Sequence, residues 1–267
     1  MVDMHLADAA PGQILVGRGT ASLSVILITR NEEANIGACL ESVAFADEIV
    51  VVDSGSTDST AEIAERFGAK VVVTDDWPGF GLQKQRALDL ATCDWVLSVD
   101  ADERIPGALR GEILAAMADG ACRGYRLNRL SWFLGRPMRH GGWHPDRVLR
   151  LVRRENARFS ADIVHERLLV EGAVGDLTEP MLHYSYTNVD DVLRKMRAYA
   201  LDSATQRRQT GAKAGLGVAI ARSLTGFLIG YVFQAGFVDG RRGFAAACFK
   251  AQETFWRYIA AGWEDKP

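Results

Sequence analysis

Two stretches decide how this chain is read: Glu48-Ile-Val-Val-Val-Asp53-Ser-Gly-Ser-Thr-Asp58 and Asp94-Trp-Val-Leu-Ser-Val-Asp100-Ala-Asp102-Glu103. Each is a short apolar run that stops on carboxylates. In an open parallel sheet the ligand crevice lies beyond the carboxyl ends of the strands, so Asp53, Asp100 and Asp102 are expected at one edge. Uncompensated carboxylates at such an edge repel one another unless a cation or a set of ligand donors neutralises them. The pattern therefore points to a divalent metal with a phosphorylated ligand.

Outward from these runs, residues 23 to 100 alternate regularly. Leu23-Ser-Val-Ile-Leu-Ile28 precedes Ile36, Leu40 and Val43 at helical spacing, and Ile49 to Val52 precedes Ala61, Ala64 and Phe67. Val71 to Val73, a helical stretch around Gln83 to Ala91 and Trp95 to Val99 complete the series. This spacing predicts βαβ units on a parallel sheet. Thr57 and Asp58 are expected to cap the second helix at its start, and Gly68 to close it. The first strand is followed by Thr29-Arg-Asn-Glu-Glu33, where a dinucleotide-binding protein would carry GxGxxG and a P-loop enzyme GxxxxGK[ST]. Hydride transfer and ordinary nucleotide hydrolysis lose ground on that account, as does nucleotidyl transfer, which calls for a glycine-rich, lysine-bearing loop at this point.

The 267 residues are enough for one large core with an appendage. The net charge of −3 conceals an acidic front and a basic back. Residues 1 to 122 carry 8 Lys/Arg against 20 Asp/Glu, residues 123 to 186 carry 11 against 7, and residues 187 to 267 carry 12 against 7. Such a tail suits an anionic surface, and its apolar content favours lipid headgroups over nucleic acid. Cys39, Cys93, Cys122 and Cys248 form no CxxC pair, which suits a reducing cytoplasm, and no signal peptide is expected in residues 1 to 21, read as an N-terminal extension.

From Cys122 the rhythm becomes basic and aromatic, through Trp132-Phe-Leu-Gly-Arg136 and His140-Gly-Gly-Trp-His-Pro-Asp-Arg147. Val148 to Val152 and Ile163 to Val170 read as further strands, and Asp190 to Gln209 as a helix with Val192, Met196 and Tyr199 on one face. Residues 214 to 238 are long enough to span a bilayer, although Arg222 and five glycines weaken that reading. Phe244 to Ala261 mixes Lys250 and Arg257 with aromatics, the composition of an interfacial membrane segment; the alternative is a buried helical pair or an oligomer interface.

Thr29-Arg-Asn-Glu32, Val52-Asp53-Ser-Gly-Ser-Thr-Asp58 and Asp100-Ala-Asp102, in this order, strongly resemble the inverting glycosyltransferases of family two. The resemblance covers residues 22 to 170 and implies the GT-A fold, a Rossmann-like α/β architecture with a mostly parallel sheet. It implies that Thr29, Asn31, Glu32, Asp53, Lys84 and Asp100 bind the nucleotide sugar, with Asp53 at the base and Asp100 near the ribose. Asp102 would hold Mg²⁺ or Mn²⁺ on the diphosphate. The alternatives are that Asp100 and Asp102 cap a helix before Ile105 and Pro106, and that Lys84 is an exposed helix lysine.

Inverting transfer also needs a base for the acceptor hydroxyl. In Val164-His165-Glu166 the candidate implied is Glu166, with Asp146 as runner-up; His-Glu replaces the family's common Glu-Asp pair. Arg147 and Arg150 could reach the diphosphate or an anionic acceptor, the alternative being solvated surface arginines. His144-Pro-Asp-Arg147, Arg150-Leu151 and the tail Gly236-Phe-Val-Asp-Gly240-Arg-Arg-Gly243 narrow the resemblance to lipopolysaccharide inner-core glucosyltransferases. That implies UDP-glucose as donor, a lipid-linked glycan heptose as acceptor, and a peripheral position on the cytoplasmic face of the bacterial inner membrane. The domains expected are a catalytic unit over 22 to 186 and a helical, membrane-associating region over 187 to 267. A polyprenyl-phosphate glycosyltransferase and a non-catalytic membrane-surface binding protein are the competing readings.

Overall fold

The alternation over residues 23 to 100 is realised as strand and helix in turn. A computed structural model of the chain describes residues 21–160 and 166–263. The order is β1 (Leu23–Thr29), α1 (Glu33–Ser42), β2 (Glu48–Asp53), α2 (Thr60–Arg66), β3 (Lys70–Val73), α3 (Phe80–Leu90) and β4 (Trp95–Ser98). β5 (Glu103–Arg104), α4 (Gly107–Asp119), β6 (Gly124–Phe133), β7 (Arg136–Pro137) and β8 (Asp146–Arg153) follow. β9 (Ala157–Phe159), β10 (Leu168–Val170) and β11 (Val174–Tyr186) close the strand-bearing part. After them come only helices among the described residues: α5 (Val189–Gln209), α6 (Leu216–Leu228) and α7 (Gly240–Trp263).

The main sheet runs β3-β2-β1-β4-β8-β6-β11-β5, with β7 on β6. The first four strands are parallel, in register Thr29 to Asp53 and Ile26 to Ser98, which puts the ends of β1, β2 and β4 side by side. Parallel strands are covered on both faces, so their runs are continuously apolar. Leu23, Val25 and Leu27 pack on the α1 and α4 side with Ile36, Leu40, Leu109 and Ile113. Ile26, Val50 and Val96 face α3 through Ala87, Leu88 and Ala91. Beyond β4 the pairings are mixed: β8 is antiparallel to both β4 and β6, and β11 is parallel to β6.

Several local expectations shift. α2 begins at Thr60, and Asp58 accepts hydrogen bonds from the amides of Thr60 (3.1 Å) and Glu33 (3.2 Å), tying two helix starts together rather than capping one. Gly68 follows α2 at φ +78°, a backbone conformation that glycine adopts without strain. Asp100 and Asp102 cap no helix, because β5 intervenes and α4 starts only at Gly107, after Pro106. Of the strand expected over Ile163 to Val170, residues 161–165 lie outside the described residues and the remainder forms β10. Most of the N-terminal extension, residues 1–20, also lies outside them.

α6 and α7 form an antiparallel hairpin. The Gly215 amide donates to the Tyr258 carbonyl at 3.3 Å at one end, and Phe227 meets Phe244 edge-on, centroids 5.9 Å apart, at the other. The stretch read as 214 to 238 does not run straight: a π turn over Ile229–Phe233 ends α6, Ala235 takes φ +56°, and a 3₁₀ turn over Gly236–Asp239 leads into α7. Leu216–Phe233 is long and apolar enough to cross a membrane, with mean hydropathy 1.6. The hairpin is docked on the sheet. Phe249 and Ala246 pack with Phe133, Trp143 and Tyr186, the Gly141 amide donates to the Gln234 carbonyl, and Asp239 accepts from the amides of Arg139 and His140 and faces His140 Nδ1 at 2.9 Å.

Candidate active site

The aligned ends of β1, β2 and β4 meet as the sequence implies, but their side chains divide into two groups. Asp53 is buried and fully engaged: its carboxylate accepts from Thr29 Oγ1 (2.7 Å), Ser56 Oγ (2.6 Å) and the Ser56 amide (2.7 Å). Through these bonds it braces the loop after β2. Asn31, at φ +55°, accepts from the Thr57 amide and holds the same loop. Thr29 and Glu32 line the adjoining cavity, whereas Asp53 and Asn31 do not. Burial pushes the Glu32 carboxyl above its ordinary range, against a hydrogen bond from Asn35.

Asp100 sits in a charge network. Arg150 Nη2 reaches Asp100 at 2.6 Å and Glu103 at 2.7 Å, and Lys84 Nζ reaches Asp100 at 3.1 Å and Glu166 at 3.0 Å. Glu103 also accepts the Asp100 amide at 2.9 Å, which fixes the turn carrying both aspartates. Burial alone would raise the Asp100 pKa, yet Arg150 and Lys84 hold it well below the ordinary value; in Glu103 burial prevails and the pKa rises. Lys84 is buried, so it is not the exposed helix lysine of the alternative reading. Arg150 is buried beside Asp100 and is not among the residues that line the cavity, so it is not a solvated surface arginine. Arg147 is exposed and pairs with Asp176 at 2.8 Å, away from the cavity, because on β8 it points to the side opposite the apolar Val148 and Leu151 positions of the core.

Asp102 points into the cavity beside two residues that sequence reasoning missed. His183 Nε2 lies 3.5 Å and Lys195 Nζ 3.8 Å from its Oδ2, and Ser131 Oγ lies 3.0 Å from His183 Nδ1. Burial raises the Asp102 pKa, and the His183 contact outweighs it, so the carboxyl is held below its usual range. Among the described residues no cluster of three or more His, Cys, Asp or Glu is spaced to hold a metal alone. A carboxylate with an imidazole at this distance fits a divalent cation that takes its remaining ligands from phosphate and water, as Mg²⁺ and Mn²⁺ do.

Both candidate bases line the same cavity of about 1080 Å³. Glu166 is tied to Lys84; Asp146 is tied to Arg129, whose Nε and Nη2 lie 2.8 and 2.7 Å from one carboxylate oxygen. The far wall comes from the C-terminal helices, through Val192, Lys195, Met196 and Tyr199 of α5 and Phe249 and Glu253 of α7. The volume lies at the upper end of the usual range for a small-molecule pocket, about 300–1,000 Å³. A signal for Lys195 was present: it falls on the apolar stripe of Val192, Met196 and Tyr199, where an ordinary solvated lysine would not.

Comparison with known proteins identifies the family and the fold. The model of the family described as glycosyl transferase family 2 matches residues 24–170. The lipopolysaccharide core biosynthesis glycosyltransferase LpsC of Rhizobium meliloti is 36% identical over 203 residues, 71% of this chain and 73% of its own length. An uncharacterized glycosyltransferase of Rickettsia typhi is 29% identical over 248 residues, 88% of this chain and 85% of its own. Among solved structures, the mannosyltransferase PcManGT from Pyrobaculum calidifontis, in complex with GDP-Man and Mn²⁺, superposes with a TM-score of 0.57 over 93% of this chain and 89% of that one, at 14% identity. With strand-end acids, a mixed sheet of GT-A type and a family match across more than half its length, the chain belongs to glycosyl transferase family 2.

Proposed function

We propose that this glycosyltransferase inverts the anomeric centre of a UDP-sugar, glucose in particular, and transfers the sugar to a lipid-linked glycan, a heptose of the lipopolysaccharide inner core, at the cytoplasmic face of the inner membrane. The observation that carries the proposal is the meeting of Asp100 and Glu166 on one ammonium, Lys84, at the wall of a cavity that also receives Asp102. The LpsC relative, named for lipopolysaccharide core biosynthesis, supports the acceptor class. The donor follows from the motif resemblance.

In this reading Thr29 and Glu32 line the donor side, Lys84 orients Glu166, and Asp102 with His183 holds the divalent cation. Bound there, the cation supplies charge for the leaving diphosphate. The acceptor oxygen bonds to the anomeric carbon opposite the diphosphate, the carbon–oxygen bond to the β-phosphate breaks with its electron pair going to that oxygen, and Glu166 takes the acceptor proton. Arg150 acts beneath the site by fixing Asp100 and Glu103.

A membrane-facing role for α6 is supported by its composition and exposure. Leu216, Ile220, Leu224 and Leu228, one turn apart in succession, are all exposed. No Asp or Glu occurs from residue 203 to 238, while Arg207, Arg208, Lys213 and Arg222 do. An apolar stripe with basic neighbours and no acids fits an in-plane position on anionic lipid.

The test begins with melting curves in UDP, GDP, CMP, ATP and NAD, each with Mn²⁺ and again with EDTA. A Mn²⁺-dependent rise with UDP alone is expected; a folded sample that responds to no nucleotide favours the non-catalytic reading. With the donor established, Glu166→Gln is expected to abolish transfer and keep UDP binding. Should Asp146→Asn alone do so, the base is Asp146.

A further inference from the structure

We propose that Lys195, carried into the cavity by α5, binds the β-phosphate of the donor and neutralises the charge that this phosphate gains as the sugar departs. This rests on the glycosyl-transfer reading above and adds to it a catalytic residue from the C-terminal helical region.

The argument starts from how unevenly the cations of the site are satisfied. Lys84 has two carboxylates at 3.0 and 3.1 Å, and Arg150 has two at 2.6 and 2.7 Å. Lys195 has Asp102 and Asp191, each at 3.8 Å, beyond hydrogen-bond length. Among the described residues its one short contact is a hydrogen bond donated to the Ser185 carbonyl, with the Tyr186 ring 5.3 Å from the ammonium. An ammonium has three N–H donors. One is spent on the backbone, and among the described residues the others have no close anion.

The placement is built rather than incidental. Asp191 lies one turn before Lys195 on α5, and its amide is fixed by the Asn188 side chain at 2.8 Å, so the charge behind the lysine is anchored to the helix start. The side chain is 23% exposed and opens on the cavity beside Asp102, the carboxylate assigned to the cation. A diphosphate bound beside Asp102 would bring oxygens to the unfilled donors, and charge-assisted hydrogen bonds of this kind are among the stronger ones. When the anomeric carbon–oxygen bond breaks, its electron pair goes to the β-phosphate oxygen, the acceptor oxygen takes its place on carbon, and the acceptor proton goes to Glu166. Lys195 keeps its own proton throughout and offsets the new charge.

The test is calorimetric titration of the full chain, wild type, Lys195→Met and Lys195→Arg, with UDP and with UMP in the presence of Mn²⁺. Lys195→Met is expected to weaken UDP roughly tenfold to hundredfold, the worth of a charged hydrogen bond, while UMP changes less than about twofold. Lys195→Arg, which keeps the charge and covers the case of a methionine variant that does not fold, is expected to retain most of the UDP affinity and its preference over UMP. Equal losses for UDP and UMP would make Lys195 a scaffold residue and overturn the proposal, as would an unchanged UDP affinity in Lys195→Met. A wild-type protein that binds neither UDP nor another nucleoside diphosphate overturns the glycosyl-transfer reading itself, an outcome seen before any variant is made.

Discussion

Replacing Arg150 by methionine isolates the electrostatics beneath the site. The arginine side chain is only 9% exposed and sits between Asp100 at 2.6 Å and Glu103 at 2.7 Å, with Glu103 wholly buried. Methionine nearly matches its length but removes the charge. Asp100 would keep Lys84 at 3.1 Å, and Glu103 would keep the Asp100 amide and, as its nearest cation among the described residues, Arg129 at 3.8 Å. Removing one member of a buried ion pair costs about 3–5 kcal/mol. At about 2–4 °C per kcal/mol for a chain of this size, melting should fall by about 10 °C at neutral pH. In the wild type, Asp100 is held low, so it stabilises the fold above the ordinary carboxylate pKa, and that contribution is lost as pH falls through its folded value. Without Arg150 the pKa values of both carboxyls rise, the folded variant takes up protons more readily than the unfolded chain, and its stability increases as pH falls. The gap between wild type and Arg150→Met should therefore narrow between pH 8 and pH 5 in calorimetric melts. A gap that stays constant with pH would refute the charge argument and leave packing as the cause; no gap at pH 8 would mean that Arg150 does not hold these carboxylates at all.

Asp102→Asn should remove the Mn²⁺-dependent part of UDP stabilisation, about 2.7 kcal/mol at a hundredfold excess over the dissociation constant; a variant that keeps it would move the cation elsewhere. Gly243→Ala should lower stability by about 1–3 kcal/mol, read by denaturant titration, because the added methyl would run into the Gly236 carbonyl where α7 leaves the 3₁₀ turn. The double variant Leu224→Glu with Leu228→Glu, on exposed positions of α6, should melt within about 0.5 kcal/mol of wild type. In flotation with vesicles containing anionic lipid it should stay in solution while wild type floats, and a variant that still floats would place the membrane contact on another face.

What the sequence disclosed followed from which strands are buried on both sides. β1, β2 and β4 lie inside the parallel half, so their runs are unbroken and their acidic ends stand out. β6 does alternate, with Tyr125 and Leu127 inward and Arg126 outward, but a register shift between Tyr125 and Arg126 against β8 and another between Asp176 and Pro180 in β11 break the period over a short window. That half therefore read as basic and aromatic irregularity. Arg129 and His183 escaped for a related reason. Each comes to the acidic turn after β4 from a segment far away in sequence, Arg129 facing Glu103 at 3.8 Å and His183 aligned by β11 with Ser131 and Glu103. The straight apolar segment expected to Val238 stops at Phe233 because Ala235 turns left-handed and the chain doubles back.

The same reversal joins two properties that the sequence presents separately. α6 and the π turn that ends it have one edge in the cavity, at Gly226 and Gly230, and an opposite stripe at Leu224 and Leu228 in solvent. α7 returns from it to supply Phe249 and Glu253 to the cavity wall, while α5 supplies Lys195. Cutting the chain after residue 213 would thus do more than remove the exposed apolar stripe: it would open the cavity on the side that α7 walls. If α6 lies in the lipid surface, its glycine edge joins the bilayer to the cavity that Glu166 lines, and the small residues leave space there for a glycan that is still anchored. The apolar stripe and the acceptor side of the cavity are then two faces of one helix, and a bulky residue at Gly226 or Gly230 should hinder the anchored acceptor while sparing UDP binding on the far side of Asp102.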